Sequence, residues 1–163
     1  MLINGGGTLL GCAEKTPPGL KVVTGTSLIA NIVQDIGDNK VVVRNVIPPG
    51  SCPGHYDIKP GDIENLAGGD IFFIHHWQQG YENIKGLISA ADNPDLIIKA
   101  ITVKGDWMAP PFQAEATDKI AAALSEIDPA NSTYYQERAE KRRQEILAKG
   151  EEIRAKLEAA KVN

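Results

Sequence analysis

The chain has 163 residues, with 17 basic and 21 acidic side chains, a net charge of -4, and 42% hydrophobic and 23% charged residues. This is the composition of an ordinary globular protein, long enough for one compact core but short for two. The acidic balance and the lack of a basic cluster exclude nucleic acid as the main partner, and no apolar run approaches the roughly 20 residues of a membrane-spanning helix.

Residues 1–19 form the first unit. Leu9-Leu10-Gly11-Cys12 matches a bacterial lipobox, which makes Cys12 a candidate lipidation site and 13–19 a tether to a lipid anchor. Against it, the preceding stretch lacks a positive region and its apolar part is short and broken by glycine. Cys12 and Cys52 are the chain's two cysteines, too few for a disulfide framework.

Residues 20–127 form an α/β lobe. Residues 20–24 (LKVVT) predict a buried strand, followed by a helix over LIANIVQDI with Thr26 or Ser27 as its cap. The β-branched run 40–47 (KVVVRNVI) predicts a second strand. The stretch GSCPGHYDIKPGD follows, and Pro60 opens a short helix that Gly68 and Gly69 end. Residues 70–74 (DIFFI) predict a third strand, 81–91 a helix, 96–101 (LIIKAI) a fourth strand, and 112–127 a further helix. Alternation of this kind gives a parallel four-stranded sheet flanked by helices.

Residues 128–163 form the third unit. Asp128-Pro129 is a helix start signal, and the helical pattern runs to about residue 160 with only Gly150 against it. Some 30 residues at 1.5 Å each make a rod of about 45 Å, longer than this lobe needs for its own surface. Its apolar stripe is thin: Ile146, Ile153 and Leu157.

Ligands of parallel sheets bind outside the carboxyl ends of the strands. Cys52, His55, His75 and His76 all fall on segments following strands, and these include every histidine of the chain. Imidazole nitrogen and thiolate sulfur are the donors Zn²⁺ prefers. Cys52-Pro53-Gly54-His55 places two of them three positions apart in a stiff turn. Neighbouring His75 and His76 point opposite ways in an extended chain, so one of them is expected to join the pair. Asp57, Asp62 and Glu82 are further oxygen donors, but helix caps or solvent suit them better. Tyr56, Trp77 and Trp107 are candidate cleft-lining aromatics or ordinary packing residues. No GxSxG, P-loop, GxGxxG or HExxH signature occurs, and nothing supplies an oxyanion partner to a Cys52–His55 nucleophile, so no enzyme is expected.

The run LKVVTGTSLIANIVQDIGDNKVVVRNVIPPGSCPGHYDIKPGDIENLAGGDIFF, with ALSEIDPANSTYYQERAEKRRQEI later, resembles the metal-binding solute receptors of zinc and manganese ABC transporters, cluster A-I type. The likeness spans about residues 20–160. It implies a lobe ending in an inter-lobe helix, an extracytoplasmic location (periplasmic or lipid-anchored), and a membrane ABC permease that accepts the ion. The ion implied is Zn²⁺, with Mn²⁺ or Fe²⁺ as alternatives.

Two departures stand out. The family is about twice this length, so a second lobe, or self-association through the exposed face, is expected to complete the site. The family's first histidine also falls on Gly54, one step before His55, and its second falls on Gly105. The expectation is a site rebuilt from Cys52, His55 and His75 or His76, with affinity falling below about pH 6 as imidazole protonates. The alternative is a module for a metal chelate or cobalamin-like ligand, or an adhesin that has lost free-metal binding.

Overall fold

The computed structural model describes residues 19–160; Cys12 and its tether lie outside them. Four strands, β1 (Leu20–Thr26), β2 (Val41–Ile47), β3 (Ile71–His75) and β4 (Ile97–Ile101), pair in parallel in the order β2-β1-β3-β4. Helices α1 (Ser27–Gly37), α2 (Pro60–Ala67), α3 (Glu82–Ala91) and α4 (Pro110–Ile127) connect or follow the strands. Helix α5 (Ser132–Ala159) closes the described chain.

Strand parity divides the core. Val22, Ile71 and Phe73 face α1, α4 and α5 in a cluster with Ile29, Ile120, Leu124 and Tyr135. Val23, Phe72 and Ile74 turn the other way, onto Leu66 of α2 and Ile84 and Leu87 of α3. Every residue of β3 is buried, so its sequence shows a continuous apolar run rather than alternation. His75 ends that run with the parity of Ile71 and Phe73.

The long helix is shorter at its start than the sequence suggests. Pro129–Asn131 is a single 3₁₀ turn, and the α-helix begins at Ser132. Asp128 does not cap with its carboxylate. It accepts instead from the hydroxyl of buried Tyr135 (2.6 Å) and the side-chain amide of Asn131 (2.7 Å), fixing α5 against α4. Gly150 has a packing use: a Cβ there would come within 2.9 Å of the Pro110 ring. Residues 151–160 are exposed throughout, Ile153 and Leu157 among them. Among the described residues no helix is long and apolar enough to cross a membrane.

Candidate functional site

The strand order reverses between β1 and β3, and in parallel sheets that crevice is the usual ligand position. Here the chain's own side chains fill it. The backbone pairing of β1 with β3 last registers at Thr24 and Phe73. Beyond it, Thr26 Oγ1 and His75 Nε2 bridge the strands at 2.8 Å. Buried Gln78 completes the tie: its Oε1 accepts from the His75 amide (3.0 Å), and its Nε2 donates to the Gly25 carbonyl (3.4 Å). The Thr26 side chain, expected to cap α1, makes no cap bond and serves His75 instead.

His75 is 2% exposed. Its imidazole stacks on Trp77 (centroids 4.8 Å apart, 14° between planes) and meets Trp107 edge-on at 4.1 Å. Burial disfavours the imidazolium and pulls its pKa down to about 4, so the ring is neutral at pH 7. Its Nδ1 makes no close hydrogen bond among the described residues, although the His75 side chain and the Gln78 amide stand in a capping-box arrangement at the start of the 3₁₀ turn.

Next to this plug lies an open groove of about 580 Å³, lined by Cys52, His55, Trp77, Tyr81, Glu82 and Asn83 among others. Pro53–His55 is a 3₁₀ turn closed by the His55 amide on the Cys52 carbonyl (3.1 Å). That turn brings Cys52 Sγ and His55 Nδ1 to 3.4 Å, and both residues are exposed. Asn83 Nδ2 holds the turn from below, donating to the carbonyls of Pro53 (2.9 Å) and Tyr56 (3.0 Å).

Two sequence expectations need correction. One of the paired histidines was expected to share a site with Cys52 and His55. Among the described residues, no group of three or more His, Cys, Asp or Glu side chains is placed to hold a metal ion. Parity is the reason: His75 projects toward the α1, α4 and α5 side, while the loop before α2 packs through Tyr56 and Ile58 on the α2 and α3 side. His76 opens the 3₁₀ turn His76–Gly80 and is exposed, outside the groove lining.

The second correction concerns the aromatic residues. Trp77 lines the groove, but Trp107 is buried in the core beside His75. Tyr56 is half-buried, donating its hydroxyl to Asp62 (3.1 Å). The acidic residues follow the capping and solvent reading. Asp62 is buried and also accepts from the Lys59 amide (2.9 Å), an N-terminal cap of α2, and Glu82 pairs with Lys85 (2.7 Å).

Tyr81, Asn83 and Gln78 were missed from sequence. The amides carry no motif, and their long-range partners lie 27 to 53 residues away. Tyr81 had one available signal, its place just ahead of a helix that follows a strand end.

Against known proteins, residues 22–163 match the family of the zinc-uptake complex component A, periplasmic (ZnuA). The chain is 27% identical to the metal ABC transporter substrate-binding lipoprotein SloC of Streptococcus mutans, over 78% of this chain and 49% of that protein. It is 28% identical to the iron-binding protein YfeA of Yersinia pestis, over 84% of this chain and 49% of that protein. It thus spans about half the length of these relatives. The solved periplasmic zinc binding protein TroA from Treponema pallidum has the same fold, with a TM-score of 0.71 at 17% identity over 86% of this chain and 56% of that one. The match over nearly the whole described fold means that this chain belongs to the family of the zinc-uptake complex component A, periplasmic (ZnuA).

Proposed function

We propose that this chain captures Zn²⁺ through Cys52 and His55 and delivers it to a membrane ABC permease. The separation of the two donor atoms carries the proposal. A zinc ion with Zn–S of about 2.3 Å and Zn–N of about 2.05 Å at a tetrahedral angle needs donors about 3.6 Å apart; Sγ and Nδ1 stand at 3.4 Å. The turn thus presents one edge of a zinc tetrahedron, on the sheet edge where parallel folds hold ligands. A thiolate and an imidazole suit zinc better than manganese, which favours oxygen donors.

Two donors on one lobe hold an ion weakly and release it readily. We assign the remaining positions to a second lobe reached through α5, whose exposed Ile153 and Leu157 supply an apolar face for that contact. Relatives are named lipoproteins or periplasmic proteins, which supports an extracytoplasmic place for this chain.

The test is competition for zinc against a chromophoric chelator. Cys52→Ser and His55→Ala are each expected to weaken binding about 100-fold, which corresponds to about 2.7 kcal/mol. Affinity unchanged in either variant removes this assignment.

A further inference from the structure

We propose that Asn83 is the positioning residue of the donor turn. It touches no ion itself; by clamping the backbone on both sides of His55 it keeps Cys52 and His55 assembled before zinc arrives. This rests on the pair being the zinc site proposed above, and names the side chain that prepares it.

Every polar atom of the Asn83 side chain is engaged. Its Nδ2 carries two protons, and they go to two carbonyls, Pro53 at 2.9 Å and Tyr56 at 3.0 Å. Its Oδ1 accepts from the Ile84 amide at 2.9 Å, in the first turn of α3. Turning the amide over would set its oxygen against two carbonyls and its nitrogen against an N–H, so these contacts fix its orientation.

The two carbonyls bracket Gly54 and His55. Glycine is the soft point of such a turn, and a single 3₁₀ turn has few bonds with which to hold itself. Inside the bracket the proline ring fixes φ at Pro53, and the His55 amide closes on the Cys52 carbonyl at 3.1 Å, which ties both donor residues to the clamped segment. Cys52 and His55 are exposed, so their own packing adds little order. The order comes from 27 and 30 residues away, from a helix anchored in the core by Ile84 and Leu87.

A turn held in place before the ion binds spends no backbone entropy on binding, whereas a loose one takes that entropy out of the affinity. Groups that orient metal ligands act in this way, and losing one weakens metal binding about tenfold to 100-fold.

The experiment uses the 163-residue chain and ZnCl₂ in the chelator competition. Asn83→Ala should weaken zinc binding about tenfold. ¹⁵N relaxation should show the backbone of residues 52–56 ordered in the zinc-free parent, mobile in zinc-free Asn83→Ala, and ordered in both once zinc is bound. In a His55→Ala background the same substitution should change zinc affinity less than about twofold, because no second donor is left to position. In the unaltered chain the Asn83 side-chain amide protons should be protected from hydrogen exchange with and without zinc.

Zinc affinity retained in Asn83→Ala, while Cys52→Ser and His55→Ala lose it, overturns this inference and leaves the proposed function standing. So does free exchange of the Asn83 side-chain protons before zinc is added, since the turn is then not clamped. An equal loss in the parent and His55→Ala backgrounds gives Asn83 a general structural role and overturns the positioning one. Zinc binding indifferent to Cys52→Ser and His55→Ala removes both readings. The exchange measurement needs no substitution, so instability of Asn83→Ala does not affect it.

Discussion

The carboxyl edge of this sheet carries two neighbouring arrangements built on opposite terms. At the β1–β3 crevice, His75, Thr26 and Gln78 are buried and cross-tied, and their polar atoms are satisfied apart from one ring nitrogen. In the adjacent groove, Cys52 and His55 are exposed and bonded to each other. The first is rigid and covered; the second is accessible and incomplete. Order at a strand end and availability to a ligand are therefore separable, and Trp77 touches both regions.

The largest effect expected on this contrast is at Gly25. A Cβ there would stand 2.6 Å from Gln78 Oε1 and 2.9 Å from its Nε2. Gln78 is fully buried and bonded in both directions, so it cannot yield without stranding the Gly25 carbonyl and the His75 amide. Two stranded buried groups cost about 3–4 kcal/mol together. Urea unfolding of Gly25→Ala should show that loss, with the midpoint falling at constant m. A loss under about 1 kcal/mol would mean the crevice is looser than its hydrogen bonds imply.

Acid should separate the two regions next. The His75 pKa is lowered by burial from its ordinary 6.5 to about 4. The unfolded chain therefore binds the proton more readily, and stability is lost as pH falls from about 6.5 through 4. For the metal-free protein the loss reaches up to about 3 kcal/mol at the lower end. His75→Gln should flatten that part of the pH–stability curve. Parallel curves for the unaltered chain and His75→Gln would place the acid sensitivity elsewhere.

The sequence made the sheet legible because its signals are local. Continuous β-branched or aromatic runs in β2 and β3, Pro60 at the start of α2, and the helical period after residue 132 each depend on a few neighbouring residues. The pairing of Cys52 with His55 was legible for the same reason, since three positions in a turn fix it. What stayed hidden depends on residues far apart in sequence. Thr26 reads as a helix cap until β3 brings His75 beside it, 49 residues on. Trp77 and Trp107 read alike as strand-end aromatics, yet one faces the groove and the other the core. The parity that buried His75 could be counted from Ile71, but not without knowing where β3 ends.

A smaller effect is expected at Gly105, where the family pattern has a histidine. A Cβ there would come within 2.3 Å of the Phe112 ring, so a side chain has to push that half-buried ring aside. Overpacking of this kind costs about 1–3 kcal/mol. Gly105→His should lower the melting temperature by several degrees, and the double variant Gly105→His/Phe112→Ala should recover part of the loss. Full stability in the single variant would show that Phe112 is free to move.

Gly54, the other displaced family position, should behave in the opposite way. A Cβ there would meet only the Tyr81 ring, at 3.5 Å, an ordinary contact, and the backbone φ is not positive. Gly54→His should therefore change stability by no more than about 0.5 kcal/mol. Its effect belongs on the ligand side. Residue 54 lies between Cys52 and His55 on the turn lining the groove, so a second imidazole there adds a donor to the pair. Zinc should bind more tightly in Gly54→His than in the parent chain, measured by the same chelator competition. If affinity does not rise, the turn points residue 54 away from the ion that Cys52 and His55 hold.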